Sequence, residues 1–515
     1  MCKMNLRTLV LAVGLLVSLG SSTAQAATFK FRLLAEPTTL DWQQASTSVE
    51  TPIMMNLMEG LTEVDTNLKP QPCLAEKITV SKDQKTYTFT LRKNVKWSDG
   101  TPLKAQDFVE SWKRLLTPAF AAPYAYLLYD IVGAEEFNKK QSTDFSKVSI
   151  VAKDDSTFAV TLKKPVAYFT YLTGFWPTFP IRKDLIDKDG TTWTKPGKLV
   201  TIGAYMLESY QTATKLVFKA NPHYWRKIGN VTEAVAQIIK DSATSINVFR
   251  SGGVQMMQDF SPDDLKLARP MAEFKTYPYL KTHYLAFRVK NSIADNLNFR
   301  QAVAHAIDRK PIPSILNGSQ RIASTFIPPK VVGFDSKLGI QFDVKLAKEY
   351  LAKSGVDVSK PIEFVARNSE RPRIMTQYIQ SELKKNLGLN VQIQLFDYKV
   401  FRSSITTQNI PLMLMVWAGD YPDGDSFLSL FETGTGNNLT HFSDPKFDEN
   451  MHKAREDWNT LNRDKLYKEA QDIVQVRDAA ILPLYYEENE ALVAKSVHGF
   501  SINPIGYFFI KDLQM

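Results

Sequence analysis

The residues whose types and spacing could do chemistry lie at 416–431, Val-Trp-Ala-Gly-Asp-Tyr-Pro-Asp-Gly-Asp-Ser-Phe-Leu-Ser-Leu-Phe. An apolar run, 411–415, leads into them and reads as a buried strand entering a cleft. Trp417 offers a flat apolar face. Ala418 and Gly419 leave the main chain bare enough for another backbone to approach. Asp420 then sets a carboxylate just past the strand end, followed by Tyr421. That pairing suits an extended guest chain with a free ammonium end. The ammonium brings three donors to a charged acceptor, and an open strand can take the guest as one more strand. The same residues also suit a plain strand-to-turn junction, since Pro422 and Gly424 are turn formers and Asp is common in turns.

Other chemistries find less support. The six His residues stand singly, without metal-ligand spacing, and HExxH is absent. Asp420, Asp423 and Asp425 invite a calcium reading, but Pro422 and Gly424 fall where an EF-hand loop needs ligands. GxSxG and Walker A patterns are missing. A secreted hydrolase using Asp420 or Asp425 as acid or base stays open as a rival, with no partner carboxylate assignable from spacing. No cofactor and no metal are expected.

The elements that must position Asp420 belong to an exported chain. Lys3 and Arg7, the apolar stretch 9–19 and Ala24-Gln25-Ala26 form a cleavable leader, with cleavage expected after Ala26. The apolar stretch is too short to span a bilayer comfortably. Of two cysteines, Cys2 leaves with the leader, so Cys73 has no internal disulfide partner. The net charge of +9 is scattered among 54 acidic residues, with no basic block, so nucleic acid is not an expected partner. The length suggests about three domains.

Alternation and helical spacing give the element order. Strands are expected at 28–34, 85–91, 156–162, 203–205, 215–219, 284–289, 363–365, 390–396 and 480–485. Helices are expected at 52–60 with Gly60 as C-cap, and at 105–116, 241–252, 299–308, 373–387, 445–458 and 461–476. The strand–helix–strand order around 363–396 predicts a parallel α/β sheet.

Several segments together resemble the family 5 extracellular solute-binding proteins. They are Leu74-Ala75-Glu76, the strand at 87–91, Trp97-Ser98-Asp99-Gly100-Thr101-Pro102, Ala105–Val109 with Trp112, Gly203-Ala204-Tyr205, Asn221–Trp225, Arg250-Ser251-Gly252, Arg300-Gln301-Ala302 and Asp308-Arg309. The resemblance covers nearly the whole chain after the leader. It implies an α/β fold of the periplasmic binding protein class II type, with two lobes, a hinge and three structural domains. The implied division is leader 1–26, first domain 27–62, 191–283 and 486–515, second domain 63–190, and third domain 284–485. Residues 284–286 and 482–485 would carry the two crossings between lobes.

The resemblance further implies a monomeric periplasmic receptor that captures short peptides and delivers them to an ABC permease. Asp420 would hold the peptide amine, and Val416–Ala418 and the loop Thr47, Ser48, Val49 would pair with its two edges. Trp417, Gly419, Tyr421, Tyr124, Tyr126 and Gln258 would complete the pocket. Oligopeptide binders of the family hold peptide carboxylates with basic residues, but Leu414 and Ile405 stand at those positions here. Arg371, Arg373 and Arg402 are the candidate replacements. The departure leaves room for another ligand on the same fold, such as a murein peptide, glutathione, haem or a sugar-like solute.

Overall fold

The computed structural model describes residues 26–65 and 67–515, without the Lys399 side chain. The leader expected at 1–26 lies outside the described residues, apart from Ala26. No described helix is long and apolar enough to cross a membrane.

Among the described residues, eleven strands form one mixed sheet. Across it the order is Asn390–Phe396, Pro361–Arg367, Leu412–Ala418, Phe274–Phe287, Ile481–Val493, Met256–Gln258, Ala27–Leu33, Val231–Ile238, Lys215–Ala220 and Tyr205–Gln211, with Arg321–Ile322 also on Ile481–Val493. Pro361–Arg367 runs parallel to Asn390–Phe396, as the strand–helix–strand order predicts. The long strands Phe274–Phe287 and Ile481–Val493 are antiparallel to each other. A separate antiparallel sheet carries Ala75–Val80, Thr86–Leu91, Thr157–Thr161 and Ile150–Asp154.

The two long strands join the lobes, and their composition shows how. Leu285, Phe287, Leu482 and Leu484 sink into one apolar core, while Ala491 and Val493 sink into another. Between these ends the register breaks at Pro278/Thr282, and Glu487, Glu488, Asn489 and Glu490 interrupt the apolar pattern. A strand buried at both ends and polar in the middle leaves its middle facing a cleft. Within these strands 284–286 pair with 481–483, Tyr284 opposite Pro483, Leu285 opposite Leu482 and Ala286 opposite Ile481.

The segments that carry the family resemblance are mostly scaffold. Trp97 donates its indole N–H to Asp107 (3.2 Å), whose carboxylate also accepts the Lys104 N–H at the head of helix Ala105–Leu116. Arg300 and Arg309 spend their guanidiniums on backbone carbonyls, among them those of Asp478 and Ala323. Gly60 does not cap the first helix, which spans Thr51–Leu57 and ends at Met58. A Cβ at Gly60 would lie 2.5 Å from the Thr173 carbonyl oxygen, so tertiary packing requires that glycine.

Gly203 is required in the same way. A Cβ there would meet the Leu57 carbonyl carbon at 2.6 Å, where the Gly203 N–H donates to the Leu57 oxygen. Backbone cannot move aside as a flexible side chain can. Gly203→Ala is expected to cost about 1–3 kcal/mol by overpacking, read as a lower urea midpoint.

Candidate functional site

The strand Leu412–Ala418 has one satisfied edge and one largely open edge. It pairs with Phe274–Phe287 along its whole length, Leu412 to Phe287 through Ala418 to Lys281. On its other side it pairs with Pro361–Arg367 only at Leu412 and Met413. From Leu414 to Ala418 that side has no strand neighbour among the described residues. Unpaired backbone at a strand edge is a template for another chain.

The strand ends in a braced turn. The Trp417 indole N–H donates to the Ser426 carbonyl (2.7 Å), and the Asp420 N–H donates to Ser426 Oγ (2.8 Å). The space a side chain at Gly419 would take is filled by the Phe427 ring, 2.7 Å from the ideal Cβ position. These contacts fix the direction in which the Asp420 carboxylate leaves the main chain.

That carboxylate has no hydrogen-bond or ion-pair partner among the described residues. Burial alone holds its carboxyl up at about 7. Its neighbours behave differently. Asp423 is paired with Arg463 and Tyr467, and Asp425 with Arg455 (2.5 Å) and the Tyr421 hydroxyl (2.6 Å). A calcium ion would have to displace two guanidiniums from these acids.

Asp420 lines an interlobe cavity of about 260 Å³ together with Ala418 and Gly419, the loop Thr47-Ser48-Val49, Tyr124, Gln258 and Arg371. Facing it is an aromatic wall. Trp176 packs edge-on to Tyr124 (6.0 Å between centroids) and to Tyr507 (6.2 Å). Burial, and after it the charge of Asp420, push up the phenols of Tyr124, Tyr126 and Tyr507. Thr47 is tied to the Glu50 carboxylate through its N–H (3.1 Å) and hydroxyl, which shapes the loop. Trp417, Tyr421 and Tyr126 line a second, adjoining cavity that also reaches Asp420.

The cations of the first cavity are all engaged. Arg32 donates to the carbonyls of Ile239, Lys240, Gln258 and Asp259. Lys281 pairs with Glu487 (2.9 Å), and Arg371 is split between Glu487 (3.4 Å) and Glu490 (3.3 Å). Arg373 is exposed and donates to Asn368 (3.0 Å). Neither Arg373 nor Arg402 lines either cavity. Val416 faces neither cavity with its side chain and pairs through its backbone with His283.

Sequence reasoning missed Trp176, Tyr279, Lys281, Tyr507 and the acids Glu487, Glu488 and Glu490. The acids had a signal: three carboxylates and an amide within an otherwise apolar strand. The aromatics had none, because each looks like core. Elsewhere Glu59, Glu63 and Cys73 converge in a metal-like group. Lys511 (3.4 Å from Glu59) and Arg226 (3.1 Å from Glu63, 2.8 Å from Cys73 Sγ) fill the place a metal would take.

Two lobes joined by paired strands, with the cleft lined from both sides, define a two-lobed α/β binding protein. The chain belongs to the bacterial extracellular solute-binding proteins, family 5, whose middle region matches residues 69–438. It is 33% identical over 499 residues to the periplasmic oligopeptide-binding protein OppA of Salmonella typhimurium, covering 93% of this chain and 91% of that one. It is 29% identical over 503 residues to a probable deoxycholate-binding periplasmic protein, YgiS, of Escherichia coli, covering 95% and 93%. Among solved structures, the Escherichia coli murein tripeptide binding protein MppA superposes with a TM-score of 0.82 at 28% identity, covering 96% of this chain and 99% of that one.

Proposed function

We propose that this protein is the periplasmic receptor of an ABC importer and holds short peptides extended between its lobes, with the peptide amine on Asp420. The observation that carries the reading is the unpartnered Asp420 carboxylate at the end of a strand whose outer edge is open from Leu414 to Ala418. The strand edge grips main chain, which every peptide has, so side chains are tolerated broadly. Thr47–Val49 contacts the opposite edge, and Tyr124, Tyr126, Trp417, Tyr421 and Gln258 surround the guest. The chain acts as a monomer, is released by cleavage after Ala26, and divides into domains as the family resemblance implies: 27–62 with 191–283 and 486–515, then 63–190, then 284–485.

Deoxycholate, haem and glutathione carry net negative charge. An unpaired acid and a set of already paired cations weigh against them. Mass spectrometry of ligand carried through purification tests the class: peptides are expected, and a single non-peptide species would overturn the reading.

The same charge inventory predicts how the far end of the peptide is treated. Arg371, Lys281 and Arg32 are committed within the protein, so a ligand carboxylate meets no unpaired cation among the described residues of the first cavity. C-terminal amidation of a tripeptide is expected to change Kd by less than about threefold, measured by calorimetry.

A further inference from the structure

The second interlobe cavity, about 1050 Å³, meets the first at Asp420 and carries a surplus of negative charge. Its Lys139 pairs with Glu135 (2.6 Å), and its Lys164 pairs with Glu456 (3.3 Å). Arg455 is shared by Asp425 (2.5 Å) and Glu432 (2.7 Å). The Asp448 carboxylate accepts the Thr433 N–H (3.1 Å). Two acids lining the chamber are left with no hydrogen-bond or ion-pair partner among the described residues: Asp420, which it shares with the first cavity, and Asp130.

Burial raises the Asp130 carboxyl, although Arg455, Lys164 and Lys163 stand near enough to oppose that. Those three cations are already held by other acids, Lys163 by Glu135 (3.4 Å) and Glu136 (3.2 Å). A cation brought by a guest would relieve both unpaired acids. The chamber also presents the rings of Tyr126, Trp417 and Tyr421, and aromatic faces attract a cation on an aliphatic stem.

We propose that this second chamber receives the side chain of the peptide's first residue and that Asp130 selects a cationic one, such as a lysyl, ornithyl or arginyl side chain. The inference rests on the peptide reading above. An amine seated on Asp420 sends the peptide backbone along the open strand edge beside the first cavity. The first side chain, one bond from the amine-bearing carbon, then enters the space on the other side of Asp420.

Calorimetry on the full chain with Lys-Ala-Ala, norleucyl-Ala-Ala, Ala-Lys-Ala and Ala-norleucyl-Ala tests this. Norleucine keeps the stem of lysine and drops the charge. The expected result is about tenfold tighter binding of Lys-Ala-Ala than of its norleucyl counterpart, no such preference at the second position, and a first-position ratio near one in Asp130→Asn. Equal binding of the two first-position peptides by the native chain overturns the subsite. So does a first-position preference that Asp130→Asn retains, or a preference of the same size at the second position. Should Asp130→Asn fail to fold, the native comparison decides alone. If none of the four peptides binds, the peptide reading itself has failed and takes the subsite with it.

Discussion

Asp420→Asn is expected to weaken binding of any tri- to pentapeptide with a free amine by at least about a hundredfold. An ammonium held in the cleft would face a neutral amide, and stranding a buried charge costs about 3–5 kcal/mol. The same substitution is expected to stabilise the ligand-free protein. The Asp420 carboxyl is raised from 3.8 to about 7 by burial. The folded state therefore binds a proton more tightly than the unfolded one. Its stability is full below pH 4 and is lost as pH rises through about 7. At about 1.4 kcal/mol per tenfold, the whole shift amounts to roughly 4 kcal/mol, and solvent reaching this partly open group reduces that to about 2 kcal/mol. Asp420→Asn escapes the loss, so its gain in urea midpoint should be present at pH 8 and absent at pH 4. Gain of stability with loss of binding marks a residue kept for its ligand. A structural turn aspartate would show the reverse, because its removal would cost stability at every pH.

Peptide affinity is expected to fall as the solution is made acidic, through the same group. In the empty cleft Asp420 is half protonated near pH 7. A bound ammonium favours the carboxylate and pulls that value down. Binding below pH 7 must therefore expel a proton, and affinity drops about tenfold per pH step until the bound-state value is reached. Between pH 8 and pH 5 the expected loss is about thirty- to fiftyfold, because the free peptide amine (about 7.7–8.0) is already partly neutral at pH 8. Calorimetry in buffers of different ionisation enthalpy should register close to one proton released per peptide at pH 5.5, and a proton taken up at pH 8.5, where the free peptide amine is mostly neutral and must bind as the ammonium. Asp420→Asn should flatten this dependence. A flat profile in the native chain would mean that Asp420 is not the group that meets the ligand.

The parts of the fold that were legible in the sequence are those in which local pattern and tertiary burial agree. Helix Ala105–Leu116 and strand Asn390–Phe396 fall where their periodicity puts them, and Gly388 caps its helix in the left-handed conformation (φ 70°). The strand that presents Asp420 was readable because apolar residues run straight into turn formers. The long crossing strands reach well beyond the expected stretches 284–289 and 480–485, one beginning at Phe274 and the other ending at Val493. Their middles face the cleft, so Lys281, His283 and Glu487–Glu490 break the alternation that marks a strand. The helical spacing predicts a helix up to Gly60, but the helix ends at Leu57 and the bareness of Gly60 answers to Thr173 more than a hundred residues away. The candidate site divides similarly. Asp420, Tyr124 and the Thr47–Val49 loop come together at one cavity, whereas the pairing of Arg371 with Glu487 and Glu490 joins residues more than a hundred positions apart. No spacing rule reaches that far. It is this pairing that turns a candidate carboxylate anchor into part of the cavity's own charge balance.

The most direct measurement compares one tripeptide with a free amine and the same tripeptide N-acetylated, titrated into ligand-stripped protein at pH 8. The free peptide is expected to bind, and acetylation is expected to weaken it by at least about a hundredfold, since it removes the only charge complementary to Asp420. Equal affinity for the two forms would contradict the account.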